Sequence, residues 1–193
     1  RAVKPEIPLM IHLDNGGNNE MYRDWFDHYM ERGEDFDYIG LSYYPFWHGT
    51  LQMLEDNMND MAARYGKELI VAEVSMGYTM EDYKPYEKLK DSERKGYATK
   101  PELVAKIEYP MTVQGQYDFM EDFLNRISHI KGNKGKGFFY WEPAWIPVAG
   151  SGWATPASLK YMNDKGPCGN EWANQALFDY EGNALPTWNL IRD

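Results

Sequence analysis

Short apolar runs alternate along the chain with longer stretches in which apolar residues recur at helical spacing. Runs of four to eight residues that end at Gly, Pro or Asp predict buried strands, whereas recurrence at i, i+3, i+4 and i+7 predicts amphipathic helices. Thr50 is a candidate N-cap, and Gly66 a candidate C-terminal stop, of one such helix. The predicted strands are residues 8–13, 38–44, 68–74 and 137–141, and the predicted helices are residues 21–33, 51–65, 113–130 and 186–191.

This alternation predicts an α/β fold of about four βα units. Near-continuous apolar strands that alternate with helices indicate a parallel sheet covered by helices, which leaves a barrel segment or a doubly wound sheet. The sequence has neither G-x-G-x-x-G nor G-x-x-x-x-G-K, the phosphate-binding fingerprints of nucleotide-binding sheets, so the barrel is favoured. A complete (β/α)₈ barrel takes about 250 residues. We therefore expect the 193 residues to form a single domain that is part of a TIM barrel.

Composition excludes several classes of partner. The formal net charge is -10, and no Lys/Arg cluster is interleaved with aromatic residues, so nucleic acid is not an expected partner. No apolar run approaches the roughly 20 residues that span a bilayer. Cys168 is the only cysteine, which excludes an internal disulfide. Aromatic residues make up 16% of the chain, which either a large core or a sugar-stacking cleft would explain.

Polar and aromatic residues follow each predicted strand. In α/β barrels the working groups lie at this end of the strands, because the βα loops converge there. Glu73 is the strongest candidate for a catalytic residue among these strand-end residues. Burying a carboxylate at the end of an apolar strand costs several kcal/mol unless it is paired or hydrogen-bonded, so such a residue usually has a function. Carboxylates and tryptophans together on one rim favour a carbohydrate site. The other strand-end candidates are His12, Asp14, Ser42, Tyr43, Tyr44, Trp47, His48, Trp141, Glu142 and Trp145, and Trp153 is a further tryptophan in or next to a loop.

Seven motifs, in order over nearly the whole chain, resemble glycoside hydrolase family 53, the endo-β-1,4-galactanases. Residues 11–16 read Ile-His-Leu-Asp-Asn-Gly, residues 36–45 read Phe-Asp-Tyr-Ile-Gly-Leu-Ser-Tyr-Tyr-Pro, and residues 47–51 read Trp-His-Gly-Thr-Leu. Residues 112–115 read Thr-Val-Gln-Gly, and residues 140–148 read Tyr-Trp-Glu-Pro-Ala-Trp-Ile-Pro-Val. The last two motifs are Gly-Trp-Ala-Thr at 152–155 and Asn-Gln-Ala-Leu-Phe-Asp at 174–179.

The resemblance implies a retaining hydrolase of β-1,4-galactan or arabinogalactan that is built on a TIM barrel. The position of Glu73 matches the family's nucleophile at the end of the seventh strand, so the chain would supply about strands 5–8. The same match implies that six of the other candidate residues form the substrate cleft, and the aromatic argument above adds Trp145 to that set. The implied substrate-binding residues are Asp14, Tyr43, Tyr44, His48, Trp141, Glu142 and Trp145.

The family's acid/base glutamate lies in an Asn-Glu pair at the end of the fourth strand, and no such pair ends a strand here. We therefore expect the acid/base residue to come from an upstream half of the barrel, and the isolated chain to be inactive or nearly so. Four βα units also leave two strand edges unpaired. The expected protein partner is accordingly the N-terminal half of the barrel or a second copy of the chain.

Location and cofactors follow from the same resemblance. A polymeric substrate implies a secreted, periplasmic or cell-surface protein. Some bacterial members hold calcium with an Asp/His/Asn-rich loop after the seventh strand and with a Ser and an Asp near the end. Here residues 81–90 lack the alternating ligands, and Asn170 and Ala173 stand at the second pair of positions. The sequence therefore favours no cofactor and gives little support for calcium.

Two other hypotheses remain open from the residues. One is a non-catalytic galactan-binding or assembly module, in which the rim binds sugar but performs no chemistry. The other is a self-contained enzyme that uses Glu73 with Glu142 or Asp14, which predicts hydrolysis by this chain alone.

Overall fold

The computed structural model describes residues 4–33, 35–81, 101–147, 154–163 and 172–191. Trp153, Cys168, Asn170 and residues 82–90, which the resemblance places at the calcium loop of some family members, lie outside this part of the chain. By its internal contacts the chain divides into two compact units. The first takes residues 1–74 and 122–140, and the second takes residues 75–121 and 141–193. That the chain forms a single domain stays a prediction.

The first unit contains a parallel sheet of four strands in the order β1-β2-β3-β4. The strands are β1 (Met10–Leu13), β2 (Tyr38–Tyr43), β3 (Glu68–Val74) and β4 (Gly135–Tyr140). Each strand pairs with the next one along the chain, which is the order that successive βα units produce in a barrel wall. The parallel α/β fold expected from the sequence is therefore observed.

The helices agree with the sequence pattern where their start and stop signals are strong. The Thr50 hydroxyl accepts a hydrogen bond from Met53 N at 3.2 Å, and Gly66 adopts the left-handed conformation with φ 67°. The described helices are α1 (Asn19–Arg32), α2 (Leu51–Tyr65), α3 (Pro101–Val104), α4 (Val113–Ser128), α5 (Pro156–Tyr161) and α6 (Trp188–Ile191), with 3₁₀ turns at Lys131–Asn133 and Ala173–Gln175.

One face of the sheet is packed against helices and the other is more open. Ile39, Leu41, Leu69 and Val71 are fully buried, and they alternate with residues on the opposite face because successive side chains of a strand point to opposite sides. On that opposite face His12 is exposed and Ile70 is half-buried. The sheet therefore has a sealed face and an accessible face, and only the accessible face can hold a site.

The aromatic pair Phe138 and Phe139 predicts that the fourth strand is covered on both sides. In the structure Phe138 packs against Phe123 of α4 with ring centroids 5.5 Å apart, but the neighbouring Phe139 is 61% exposed. The prediction is wrong for the described residues, because Phe139 projects from the side opposite to the α4 contact.

In the second unit, one buried glutamine forms hydrogen bonds with three chain segments. Gln116 is fully buried, and its amide nitrogen donates to the carbonyl oxygens of Met76 and Ala176 at 2.8 and 3.0 Å. Its amide oxygen accepts a hydrogen bond from the Thr187 hydroxyl at 2.9 Å. The Gln116 side chain thus provides hydrogen-bond partners for two backbone carbonyl groups and for one hydroxyl, from three chain segments. Buried polar groups stabilise a core when they are hydrogen-bonded in this way.

No helix among the described residues is both long and apolar enough to cross a lipid bilayer.

Candidate active site

The C-terminal ends of β1, β2 and β3 bring four of the predicted site residues into one hydrogen-bonded group. Asp14 directly follows β1, Tyr44 directly follows β2, and Glu73 is the last but one residue of β3. His48 lies in the turn between β2 and α2. In a parallel sheet these ends share one edge, the edge at which barrel enzymes place their working groups.

A β-bulge turns Glu73 towards the accessible face. Leu41 pairs with Val71, but the next residue of β2, Ser42, pairs with Glu73, so Ala72 is an extra residue in β3. If β3 alternated regularly through Ala72, with no bulge, Glu73 would share the sealed face with Leu69 and Val71. With it, Val74 takes the fully buried position and Glu73 stays half-buried. The bulge thus keeps a carboxylate out of the apolar core.

The Glu73 carboxylate is oriented by a tyrosine. The hydroxyl of Tyr44 donates to Glu73 Oε2 at 2.7 Å, and Tyr44 is only 4% exposed. The Tyr44 ring packs between aromatic neighbours, with centroid distances of 6.0 Å to Phe46, 5.8 Å to Trp47 and 5.5 Å to His48. A short hydrogen bond from a packed side chain thus fixes one oxygen of the carboxylate.

His48 links Tyr44 to Asp14. Its Nε2 lies 3.2 Å from Asp14 Oδ1, and its Nδ1 lies 3.1 Å from both the Tyr44 amide nitrogen and the Ser42 carbonyl oxygen. The imidazole is 3% exposed, whereas the Asp14 side chain is 68% exposed. Burial lowers the pKa of His48, and the charges of Asp14 and Glu73 and a hydrogen bond to Ser42 oppose that shift only in part.

The neutral ring has one arrangement that satisfies both nitrogens. Because Asp14 can only accept when ionised, Nε2 carries the proton and donates to it, and Nδ1 then accepts from the Tyr44 amide. In the charged imidazolium Nδ1 also carries a proton, so it must turn to the Ser42 carbonyl instead. The protonation state of His48 therefore determines which backbone group it binds.

Two glycines allow the Asp14 loop to approach the backbone that follows β2. Gly16 N donates to Ser42 O at 2.8 Å. A Cβ on Gly17 would lie 2.0 Å from the carbonyl oxygen of His48, a distance that no side chain tolerates. From α2, the buried Asn57 donates to Gly16 O at 2.7 Å. The position of Asp14 beside His48 is thus fixed by backbone contacts as well as by its own side chain.

Tyr43 has a different place from the other predicted residues of this unit. Its side chain is fully buried, and its hydroxyl donates to the carbonyl oxygen of Gly49 at 2.8 Å. Since Tyr43 shares the sealed face with Ile39 and Leu41, it packs the sheet and stabilises the turn that carries His48. Its predicted role as a substrate contact stays a prediction.

Trp141, Glu142 and Trp145 belong to the second unit. Trp141 directly follows β4 and is 37% exposed. Glu142 has φ 53°, an uncommon conformation for a residue with a side chain, and Trp145 N donates to its carbonyl oxygen at 3.3 Å in the same turn. Such strained turns are frequent at functional sites. The roles predicted for these three residues also stay predictions.

Two residues outside the predicted catalytic and substrate-binding set lie beside it. His12 Nε2 and Ser42 Oγ are 2.8 Å apart, and Ser42 is the residue that pairs with Glu73 in the sheet. Their position at strand ends was visible in the sequence, but only the register shows that they share the face of Glu73. Among the described residues, no group of three or more His, Cys, Asp or Glu side chains is arranged to hold a metal ion.

The C-terminal edge of this parallel sheet thus carries an oriented carboxylate, a tyrosine and a buried histidine. The chain matches Glycosyl hydrolase family 53 over residues 1–191, and it belongs to that family.

Characterised relatives support this placement. The endo-beta-1,4-galactanase of Bacillus subtilis (strain 168) is 35% identical over 210 aligned residues, which cover 100% of this chain and 46% of that protein. The arabinogalactan endo-beta-1,4-galactanase of Humicola insolens is 33% identical, over 78% of this chain and 42% of that protein. The chain thus spans about half the length of the curated relatives it matches.

A solved structure also matches this chain over about half of its own length. The GH53 catalytic domain of Ignisphaera aggregans is 33% identical to this chain and superimposes with a TM-score of 0.81. The superposition covers 99% of this chain and 48% of that domain. The α/β fold is therefore that of about half of a family 53 TIM barrel.

Proposed function

We propose that this chain carries the nucleophile side of the active site of a retaining endo-β-1,4-galactanase, with Glu73 as the nucleophile. The observation that carries the proposal is the turn of Glu73 towards the accessible face by the bulge at Ala72, together with the 2.7 Å hydrogen bond from Tyr44. Membership of family 53 and the names of the relatives support galactan as the substrate.

In the first step, the Glu73 oxygen that does not bind Tyr44 attacks the anomeric carbon of a galactosyl unit. The glycosidic bond breaks as a covalent galactosyl-Glu73 ester forms, and a general acid protonates the leaving oxygen. In the second step, the same group, now a base, takes a proton from water. The water oxygen bonds to the anomeric carbon, and Glu73 leaves as a carboxylate.

The general acid has to lie about 5–5.5 Å from the nucleophile in a retaining enzyme. We propose that this group comes from the upstream half of the barrel, supplied in the same polypeptide or by a partner chain, since the chain spans about half the length of its relatives. The chain's own Asn-Glu pairs, at residues 19–20 and 170–171, do not end a predicted strand. A second copy would therefore not add the expected acid, and the N-terminal half is the preferred partner.

The exposed groups of the site suit a sugar polymer. The Asp14 side chain is 68% exposed, and Trp47 is 40% exposed. A carboxylate can accept hydrogen bonds from sugar hydroxyls, and an indole face packs against the apolar face of a pyranose ring. Because β-1,4-galactan is a polymer outside the cell, we also propose a secreted, periplasmic or cell-surface location.

The test is endo-hydrolysis of β-1,4-galactan, measured as loss of viscosity and as product size. It compares the 193-residue chain alone with a chain extended at its N-terminus to the length of the family 53 relatives. Each form is prepared as wild type, as Glu73→Gln and as Glu68→Gln. Glu68 is a matched control, because it lies at the opposite end of β3 and binds Lys136 at 3.1 Å.

We expect activity only in the extended form, a loss on the order of 10³-fold or more in Glu73→Gln, and no loss in Glu68→Gln. Hydrolysis by the unextended chain would contradict the proposal that the acid comes from elsewhere and would favour Asp14 or Glu142. Binding of galactan without hydrolysis by the extended form would identify a binding module instead.

A further inference from the structure

His48 joins the exposed Asp14 to the tyrosine that holds the Glu73 carboxylate. The connection runs from Asp14 Oδ1 to His48 Nε2 at 3.2 Å, and from the Tyr44 amide to His48 Nδ1 at 3.1 Å. It continues through the Tyr44 side chain, whose hydroxyl donates to Glu73 Oε2 at 2.7 Å. A residue that does not itself touch the reacting atoms can therefore set the orientation of the nucleophile.

We propose that His48 is a positioning residue whose neutral ring holds the Tyr44 backbone, and through it the Tyr44 hydroxyl on Glu73, and that protonation of the ring releases this hold. This inference rests on the proposed function, because the role of Tyr44 is to orient the nucleophile. In the neutral ring, His48 Nδ1 accepts a hydrogen bond from the Tyr44 amide. In the charged ring, Nδ1 donates to the Ser42 carbonyl instead.

The surroundings of the ring suit such an exchange. The two alternative partners are equally distant from Nδ1, at 3.1 Å, so the exchange needs little movement of the imidazole. The ring is buried, and its edge-to-face contact with Tyr44 at 5.5 Å couples the two side chains. Protonation would turn an N–H group of the ring towards the Tyr44 amide, so the hydrogen bond from this amide to Nδ1 would be lost.

The charged groups that act on the ring come from both neighbouring strands. Asp14, after β1, and Glu73, on β3, favour the imidazolium, whereas burial disfavours it and dominates, so the pKa of His48 lies below its usual value of 6.5. Tyr44, from the same segment as His48, packs against the imidazole ring. His12, on β1, contacts the hydroxyl of Ser42, on β2. The release therefore belongs to the acidic side of the pH range, below about 6.5.

Nitrogen NMR of the 193-residue chain tests the exchange without any assay of activity. We expect Nε2 to carry the proton and Nδ1 to be unprotonated at neutral pH, and the Tyr44 amide to shift with the same midpoint as the ring, below pH 6.5. A proton on Nδ1 at neutral pH, or a Tyr44 amide that does not follow the ring, would overturn the proposal.

Kinetics of the extended enzyme test the consequence for Glu73. In wild type we expect log kcat/KM to fall more steeply on the acidic side than in His48→Asn, because protonation of His48 adds to the loss of activity. His48→Asn keeps an acceptor near the Nδ1 position and cannot be protonated, so its acidic limb should be shallower. His48→Gln places its amide near Nε2 and removes the acceptor that Nδ1 provides for the Tyr44 amide, so we expect a loss of kcat/KM of about 10²-fold.

His28→Asn is the matched control, because His28 is 61% exposed on α1, away from these groups. Its profile should be that of wild type. Equal acidic slopes in wild type and His48→Asn, or equal activity of the Asn and Gln variants, would refute a positioning role. If the wild-type extended enzyme hydrolyses no galactan, the proposed function fails, while the NMR titration still decides the contact between His48 and Tyr44.

Discussion

Asn57 should be the most costly polar side chain to remove from the first unit. It is fully buried in α2, where its Nδ2 donates to Gly16 O at 2.7 Å and its Oδ1 accepts from Asn19 Nδ2 at 3.0 Å. Asn57→Ala leaves the buried Gly16 carbonyl without this donor, at a cost of about 1–3 kcal/mol, and removes a second hydrogen bond worth about 1 kcal/mol. The gain in helix propensity from Ala offsets about 0.5 kcal/mol.

We therefore expect Asn57→Ala to lower the free energy of unfolding by about 2–3 kcal/mol in urea titrations, with an unchanged denaturant slope. The control is Asn59→Ala, two positions along the same helix. Asn59 accepts a single, exposed hydrogen bond from Lys131 N at 2.9 Å, so its removal should cost less than about 1 kcal/mol. A loss for Asn57→Ala that is no larger than the loss for Asn59→Ala would refute the argument.

Three further predictions concern caps and charges. Thr50→Ala should lower the free energy of unfolding by about 1 kcal/mol in the same titrations, because Met53 N loses its cap; equal stability of the two proteins would contradict this. Arg64 and Tyr65 hydrogen-bond to Asp27 and lower the pKa of that carboxyl to about 2, so carbon NMR should show Asp27 titrating near pH 2 in wild type and at a higher pH in Arg64→Gln. Because the pKa of His48 is lowered in the folded state, its contribution to stability is complete above about pH 6.5 and is lost as the pH falls through the folded pKa. Urea midpoints should thus fall less steeply on acidification in His48→Asn than in wild type, and parallel curves would count against a buried neutral ring.

Local signals predicted the elements of this fold well. The Thr50 cap and the Gly66 stop bound α2 as expected, and residues 68–74 form β3 with the predicted limits. These elements could be predicted because their signals lie within a few residues of one another. The short helices α3 and α5 were not predicted, since four and six residues are too few to show a helical period.

The orientation of the site residues could not be predicted in the same way. Strict alternation along β3 would put Glu73 on the face of Leu69 and Val71, and only pairing with β2 shows that Ala72 is an extra residue. The hydrogen bonds among Asp14, Tyr44 and His48 likewise depend on contacts between separate strands. The sequence indicated which residues lie at strand ends. It could not show that Tyr43 lies on the sealed face of the sheet whereas Tyr44 binds Glu73.

The central claim is that Glu73 forms the covalent intermediate, and trapping that intermediate tests it most directly. A galactoside with fluorine at C2 and a good leaving group slows hydrolysis of the glycosyl-enzyme, so the ester can be found by mass spectrometry after digestion. We predict one added 2-fluorogalactosyl group, on the peptide that contains Glu73, in the extended wild-type enzyme and none in its Glu73→Gln variant. A label on Asp14 or Glu142, or turnover of galactan without any label at Glu73, would contradict the account.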